Sequence, residues 1–303
     1  MTTHGGFSPT GLRVLREVAQ AGSFSAAARA LGYTQSAVSR QVATLEAVAG
    51  VALFERRRGG VTLTAAGARL LPRARRVLDE LDAAVREAHG APATAGPVRL
   101  GAFATAAAGL VPRALATLPA EARVTLREGT TPALTRALRA GTVDLAVLAQ
   151  APPFRPPDAE SPRLTLTTLS ERELVVGVAL GSPLAAAPHG VVDVADLERQ
   201  VWVASRGDGG DSLLGVWPGL AERADVRYVV RDWHAKLGIV AAGLAITTLA
   251  PVLLGTLPPG IVALAVRGEP QETRRIVLAH RADALTAPAV ARVADALTHA
   301  ARA

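Results

Sequence analysis

The chain has no cysteine and a single lysine, Lys236. Without thiols it forms neither disulfides nor thiolate metal sites, and their absence suits a reducing cytoplasm. Its histidines (His4, His89, His189, His234, His280 and His299) are scattered, with no i, i+4 pair to hold a metal. No GxSxG elbow, phosphate-binding glycine loop or dinucleotide fingerprint is present. Asp232 and His234 lie close in sequence but have no evident nucleophile. Catalytic residues, metal and cofactor are therefore not expected, and the chain reads as a non-enzyme. The amino terminus lacks a basic-then-apolar export signal, which again points to the cytoplasm. The most apolar later stretch, 237–257, contains Gly243 and Pro251 and reads as a buried helix followed by a strand, not a membrane span. There are no internal repeats.

What is abundant is positive charge, unevenly placed. The formal net charge is +7 and the isoelectric point near 11.1. Through residue 97 there are 12 arginines against 7 carboxylates, a surplus of +5; the remainder carries +2 over about twice the length. Charge concentrated at one end is the electrostatic footprint of nucleic-acid binding. A genomic base bias would explain arginine replacing lysine, but not where the charge sits.

Residues 23–50, SFSAAARALGYTQSAVSRQVATLEAVAG, are the most informative stretch. Ser8-Pro9 fits an N-cap followed by proline at the first position of a preceding helix that ends at Gly22. Ser25 is placed to cap a second, short helix that stops at Gly32, and Thr34 a third that runs to Ala49 before Gly50. In the third helix Val38, Val42, Leu45 and Ala49 form a buried stripe. Gln35, Ser36, Ser39, Arg40, Ala43 and Thr44 point the other way. Gln reads adenine, Arg reads guanine, and Ser or Thr contacts bases or phosphates. Taken alone, such a face is equally a solvated helix surface.

The next segment, VALFERRRGGVTLTAAG, suggests two short strands around Gly59-Gly60. Arg56, Arg57 and Arg58 then lie at a wing tip, where phosphates or the minor groove are within reach. Three arginines beside a reading helix are better explained by a polyanion than by a solvated surface.

These elements carry a resemblance. Residues 7–67, through AGSFSAAARALGYTQSAVSRQVATLE and LFERRRGGVTLTAAG, are similar to the winged helix-turn-helix of LysR-type transcriptional regulators, a bacterial family. TAAG at 64–67 departs from the family pattern, which often has a glutamate after the threonine. The resemblance implies DNA-binding positions at Ser23, Ser25, Thr34, Gln35, Ser36, Ser39, Arg40, Thr44 and Arg56–Arg58. The helix after Thr64, about 65–89, has Leu71, Ala74, Leu78, Leu81 and Val85 at alternating spacings of 3 and 4, the seam of a coiled coil. Such a seam wants a partner helix, and the resemblance implies a dimerising linker. Pro72 is expected to bend the helix slightly. Two reading heads would meet a partly palindromic double-stranded operator.

APATAGP at 91–97 reads as a joint. Beyond it, strand and helix alternate as βαβαβ through Ala149, which implies a mostly parallel sheet covered by helices. APPFRPPDAESP at 151–162 breaks the rhythm. Strands are expected near 164–169, 174–179, 201–204, 226–230, 245–249, 262–266 and 274–279, with helices at 212–223, 233–242 and 287–301. The last two strands should return to the first half. The expected class is α/β: winged helix-turn-helix 1–64, linker helix 65–89, hinge 90–97, effector domain 98–303. The resemblance implies that this domain has two lobes, about 98–163 with 265–303 and about 164–264, similar to periplasmic solute-binding proteins.

A ligand cleft between the lobes is implied where strand ends and helix N-termini converge, an environment that favours anions. Thr105 matches the family's usual Ser/Thr position; Thr130, Ser205, Arg206 and Thr247 are further effector candidates. Each has a plainer reading: Thr105 and Thr130 as helix caps, Arg206 as a loop charge. Trp202 and Trp233 read as packing. The expected partners are operator DNA, a small-molecule effector such as a carboxylate, and further copies of the chain as homodimer or homotetramer, with RNA polymerase as another candidate. The rival classes are an enzyme and a solute-binding protein with a helical appendage.

Overall fold

The computed structural model describes residues 7–57, 60–90, 96–151, 163–206, 213–220 and 224–302. The head consists of α1 (Pro9–Ala21), α2 (Phe24–Leu31) and α3 (Gln35–Ala49), then the wing strands β1 (Phe54–Arg57) and β2 (Gly60–Leu63). Ser8, Ser23 and Thr34 cap the helices by accepting the amides of Gly11, Ala26 and Ala37. The second cap is therefore Ser23, not Ser25. Phe24 is already helical, so the capping oxygen must come from the residue before it. Gly22, Gly32 and Gly50 end the helices at positive φ.

The wing is tied to the head by main-chain and carboxylate bonds. The Val61 amide donates to the Gly22 carbonyl, and the amides of Leu53 and Phe54 both donate to Glu46 Oε1. Phe24 meets Phe54 edge-on at 6.0 Å. The wing turn at Gly59 and Arg58 lie outside the described residues.

The linker helix α4 (Ala65–Ala88) continues through Pro72. Its seam divides in a way its spacing does not reveal. Leu71, Ala74 and Leu78 are buried with Leu12, Leu15, Leu45 and Leu53 in the core of their own head. They are therefore not available to a partner helix: α1 already covers that stretch. Leu81 and Val85 remain 39% and 58% exposed, joined by Val77 at 48%.

Beyond the linker, one sheet has the order β4 (Arg123–Glu128), β3 (Pro97–Ala102), β5 (Leu145–Gln150), β14 (Thr273–Arg281), β6 (Leu164–Glu173). β3 is parallel to β4 and β5, and β14 is antiparallel to both of its neighbours. α5 (Ala104–Ala108), α6 (Leu110–Leu115), α7 (Thr131–Arg139) and α10 (Pro288–Arg302) cover it. A second set of strands has the order β12 (Thr247–Leu249), β7 (Val175–Ala179), β13 (Ile261–Arg267), β8 (Val191–Asp193). A bridge from Trp202 to Ile246 joins it to β9 (Val201–Arg206), which carries β11 (Asp225–Val229) in parallel and β10 (Leu213–Leu214) antiparallel. α8 (Val194–Leu197) and α9 (Trp233–Ala241) complete this lobe.

Three details differ from the sequence reading. β6 pairs along its length with β14, so residues from 164 belong to the first lobe and the crossover lies at Glu173–Leu174. The strand at 262–266 pairs with β7 and β8 and stays in the second lobe; only β14 returns. No helix occupies the described part of 212–223. There Leu213–Leu214 is a strand, and Gly215 and Gly219 at positive φ, flanking Pro218, break any helical run.

Candidate DNA interface and effector cleft

On α3 the reading face is open. Val38, Val42 and Leu45 turn inward, while Gln35, Ser36, Arg40 and Thr44 are exposed and Ser39 is half-buried. The Thr44 hydroxyl donates to the Arg40 carbonyl, and Thr34 shares a hydrogen bond with Ser36, leaving both with free lone pairs. Ser25 is exposed on α2 and Ser23 is half-buried at its cap. Arg56 and Arg57 lie on β1 opposite Val61 and Gly60; their side chains, like all of Arg58, lie outside the described residues. Sequence reasoning missed Tyr33. It is 47% exposed in the turn that delivers α3. Its signal was an aromatic stranded between a helix-stopping glycine and a capping threonine.

Where the linker meets the first lobe, charges interlock. Arg99 on β3 donates through Nε and Nη2 to both oxygens of Asp144, at 3.0 and 2.7 Å, and through Nη2 to Asp79 of α4 at 3.0 Å. Arg76 pairs with Asp283, and Arg75 donates to the Ala140 carbonyl. Burial, the largest influence, holds the Asp79 carboxyl above its ordinary range. Arg76, Asp79, Arg99, Asp144 and Asp283 edge a cavity of about 360 Å³.

The two lobes touch at the segments that follow β3 and β12. α5, which follows β3, abuts the turn at Pro251–Thr256, which follows β12. At this contact a Cβ on Gly109 would lie 2.4 Å from the Val252 carbonyl oxygen. Gly109→Ala is accordingly expected to push the lobes apart and cost about 1–3 kcal/mol, read by urea unfolding. Unchanged stability would mean the contact opens freely.

The effector candidates fare unequally. Thr105 is half-buried in the first turn of α5 and caps nothing; the preceding Phe103 holds the cap position. Thr130 is exposed and caps α7 through the Ala133 amide. Ser205 is half-buried on β9 opposite Leu214. Arg206 pairs with Leu213 through its backbone, while its side chain lies outside the described residues. Thr247 is 0% exposed, and its hydroxyl is shared between the carbonyls of Val203 and Gly215. Both bonds use the one hydroxyl proton, so Thr247 is left to meet a ligand only as an acceptor. Trp202 is wholly buried in the second lobe's core.

The chain matches the family described as "Bacterial regulatory helix-turn-helix protein, lysR family" over residues 9–68. It matches "LysR substrate binding domain" over residues 92–302. It is 32% identical to the small neutral protease regulatory protein of Streptomyces coelicolor over 253 residues, 79% of this chain and 77% of that protein. It is 38% identical to the probable hydrogen peroxide-inducible genes activator of Mycobacterium xenopi over 187 residues, 59% of this chain and 94% of that one. A solved structure of a full-length OxyR variant from Pseudomonas aeruginosa superposes with a TM-score of 0.69 at 23% identity, covering 99% of this chain and 96% of that one.

Proposed function

Because the chain belongs to the LysR family of bacterial transcriptional regulators, we propose that α3 reads operator DNA in the major groove and that a small molecule bound between the lobes modulates the reading. The observation that carries this is the polar face of α3: Gln35, Ser36, Arg40 and Thr44 lie exposed along one side of a helix whose other side is locked into the head. Arg40 takes the base-reading role, with Gln35, Ser39 and Thr44 beside it. Ser23, Ser25, Thr34, Ser36 and Tyr33 contact the backbone, and the arginines of the wing add phosphate contacts.

Two heads are brought together by self-association in the cytoplasm. Val77, Leu81 and Val85 supply the apolar face on α4 that a second copy covers. Thr105, Thr130 and Ser205 line the effector cleft, with Arg206 at its rim. An effector acts only if it binds one arrangement of the lobes better than the other. The chain has no cysteine. A thiol switch therefore has no chemistry here, and the name of the mycobacterial relative is not carried over to this chain. Function rests on binding, not catalysis.

The test is operator affinity. Arg40→Ala is expected to cost about 1–3 kcal/mol on the cognate site and little on random DNA. Arg57→Ala should weaken all sequences alike and lower the salt dependence. Gel shifts over a salt series separate the two, and unchanged binding for both variants overturns the assigned DNA face.

A further inference from the structure

The chain carries 32 arginines and one lysine, and that lysine is buried. Lys236 lies in the first turns of α9, which leaves the carboxyl end of β11, so it sits at the sheet edge where α/β folds bind ligands. It is 2% exposed. Its ammonium donates to the Leu214 carbonyl at 3.1 Å and lies 5.4 Å from the centre of the Trp233 ring. Leu214 pairs with Ser205, which places the ammonium beside the cleft wall described above. No carboxylate pairs with it among the described residues.

A second donor is idle in the same place. Trp233 Nε1 is buried and has no hydrogen-bond partner among the described residues. Space for the ammonium is made by Gly215, at φ +110°: a Cβ there would come within 2.5 Å of Lys236 Nζ and 2.8 Å of Thr247 Oγ1. Burial alone pushes the ammonium down to about 8. A buried cation without a counter-charge costs stability, and such groups mark function when they lie in a cleft.

We propose that the Lys236 ammonium and the Trp233 indole N–H are the charge-recognising end of the effector site and take the ligand's carboxylate. This rests on the regulator reading and sharpens it: the effector is an anion. The loop that receives the charge also reaches the crossover, because Trp217 Nε1 donates to the Pro270 carbonyl at 3.0 Å. Filling the site therefore acts on the segment that joins the lobes.

A single lysine makes the test direct. Full-length protein labelled with ¹³C,¹⁵N-lysine gives one lysine side-chain signal to follow. Formate and acetate enter any site that admits a larger carboxylate. Titrated at constant ionic strength, both are expected to shift that signal saturably, while formamide and acetamide leave it still. Lys236→Met should melt several degrees above the wild type without ligand, having lost a buried charge that no carboxylate among the described residues pairs, and should lose the acetate-induced rise in Tm. A flat titration overturns the proposal. So does a Met variant that is less stable than the wild type, since the ammonium would then be paired within the chain. Operator binding on the same samples keeps the two readings apart. A neutral metabolite that alters operator affinity without moving the lysine signal overturns the anion site and spares the regulator. Carboxylate binding at Lys236 with no operator binding at all does the reverse.

Discussion

Leu78→Ala is expected to destabilise the chain by about 2–5 kcal/mol, whereas Leu81→Ala, one turn further along α4, should leave the isolated protomer almost unchanged. The difference lies in what each side chain touches. Leu78 is fully buried among Leu12, Leu15, Leu45 and Leu53, and truncating it opens a cavity between the linker and the head. Leu81 is 39% exposed, and in the self-association proposed above a second copy covers its apolar surface. Urea unfolding at several protein concentrations checks this. The Leu78 variant should lose stability at every concentration. The Leu81 variant should unfold normally as a protomer but dissociate at higher concentration in sedimentation. Equal losses for both variants would restore a single continuous dimer seam.

Arg99→Ala should cost about 3 kcal/mol, while Asp79→Asn, at the other end of the same ion pair, should cost little. Arg99 holds both oxygens of Asp144, whose side chain is 10% exposed; without the guanidinium, that buried carboxylate keeps, among the described residues, only the residue-99 amide and Arg281 at 4.0 Å. Asp79 is different, because burial already holds its carboxyl above the ordinary range. The sign follows from linkage: the folded form binds a proton more readily than the unfolded form, so neutralising Asp79 relieves a desolvation cost as it removes a bond. The same measurement extends to proteolysis at 90–97. Cleavage there should accelerate in the Arg99 variant, because α4 loses its hold on β3. Comparable stability losses for the two variants would mean that desolvation does not govern this pair.

Local rules carried much of the reading. Caps at Ser8 and Thr34, glycine stops at 22, 32 and 50, and the stripe Val38–Val42–Leu45 all follow from a few neighbouring residues, and together they mark the head. The misreadings share one cause: the deciding neighbour is distant in sequence. Leu71, Ala74 and Leu78 have the spacing of an interhelical seam, but α1, some sixty residues earlier, covers them. β6 reads as the start of a second lobe until β14, about a hundred residues on, pairs with it. Thr247 reads as an effector candidate from its place after a strand, but only the distant carbonyls of Val203 and Gly215 show where its proton goes. Lys236 drew attention only as the lone lysine. Nothing within α9 shows that no acid among the described residues pairs with it.

α4 is held on both sides within one copy, by apolar packing against the head and by Arg99 and Arg76 pairs against the first lobe. These contacts tie head, linker and first lobe together, and we propose that the second lobe is the part an effector moves. Its swing leaves a protomer's own head where it was. On that proposal the signal reaches DNA by altering how neighbouring copies fit against one another, and a protomer cut off from its fellows is expected to bind ligand without reporting it.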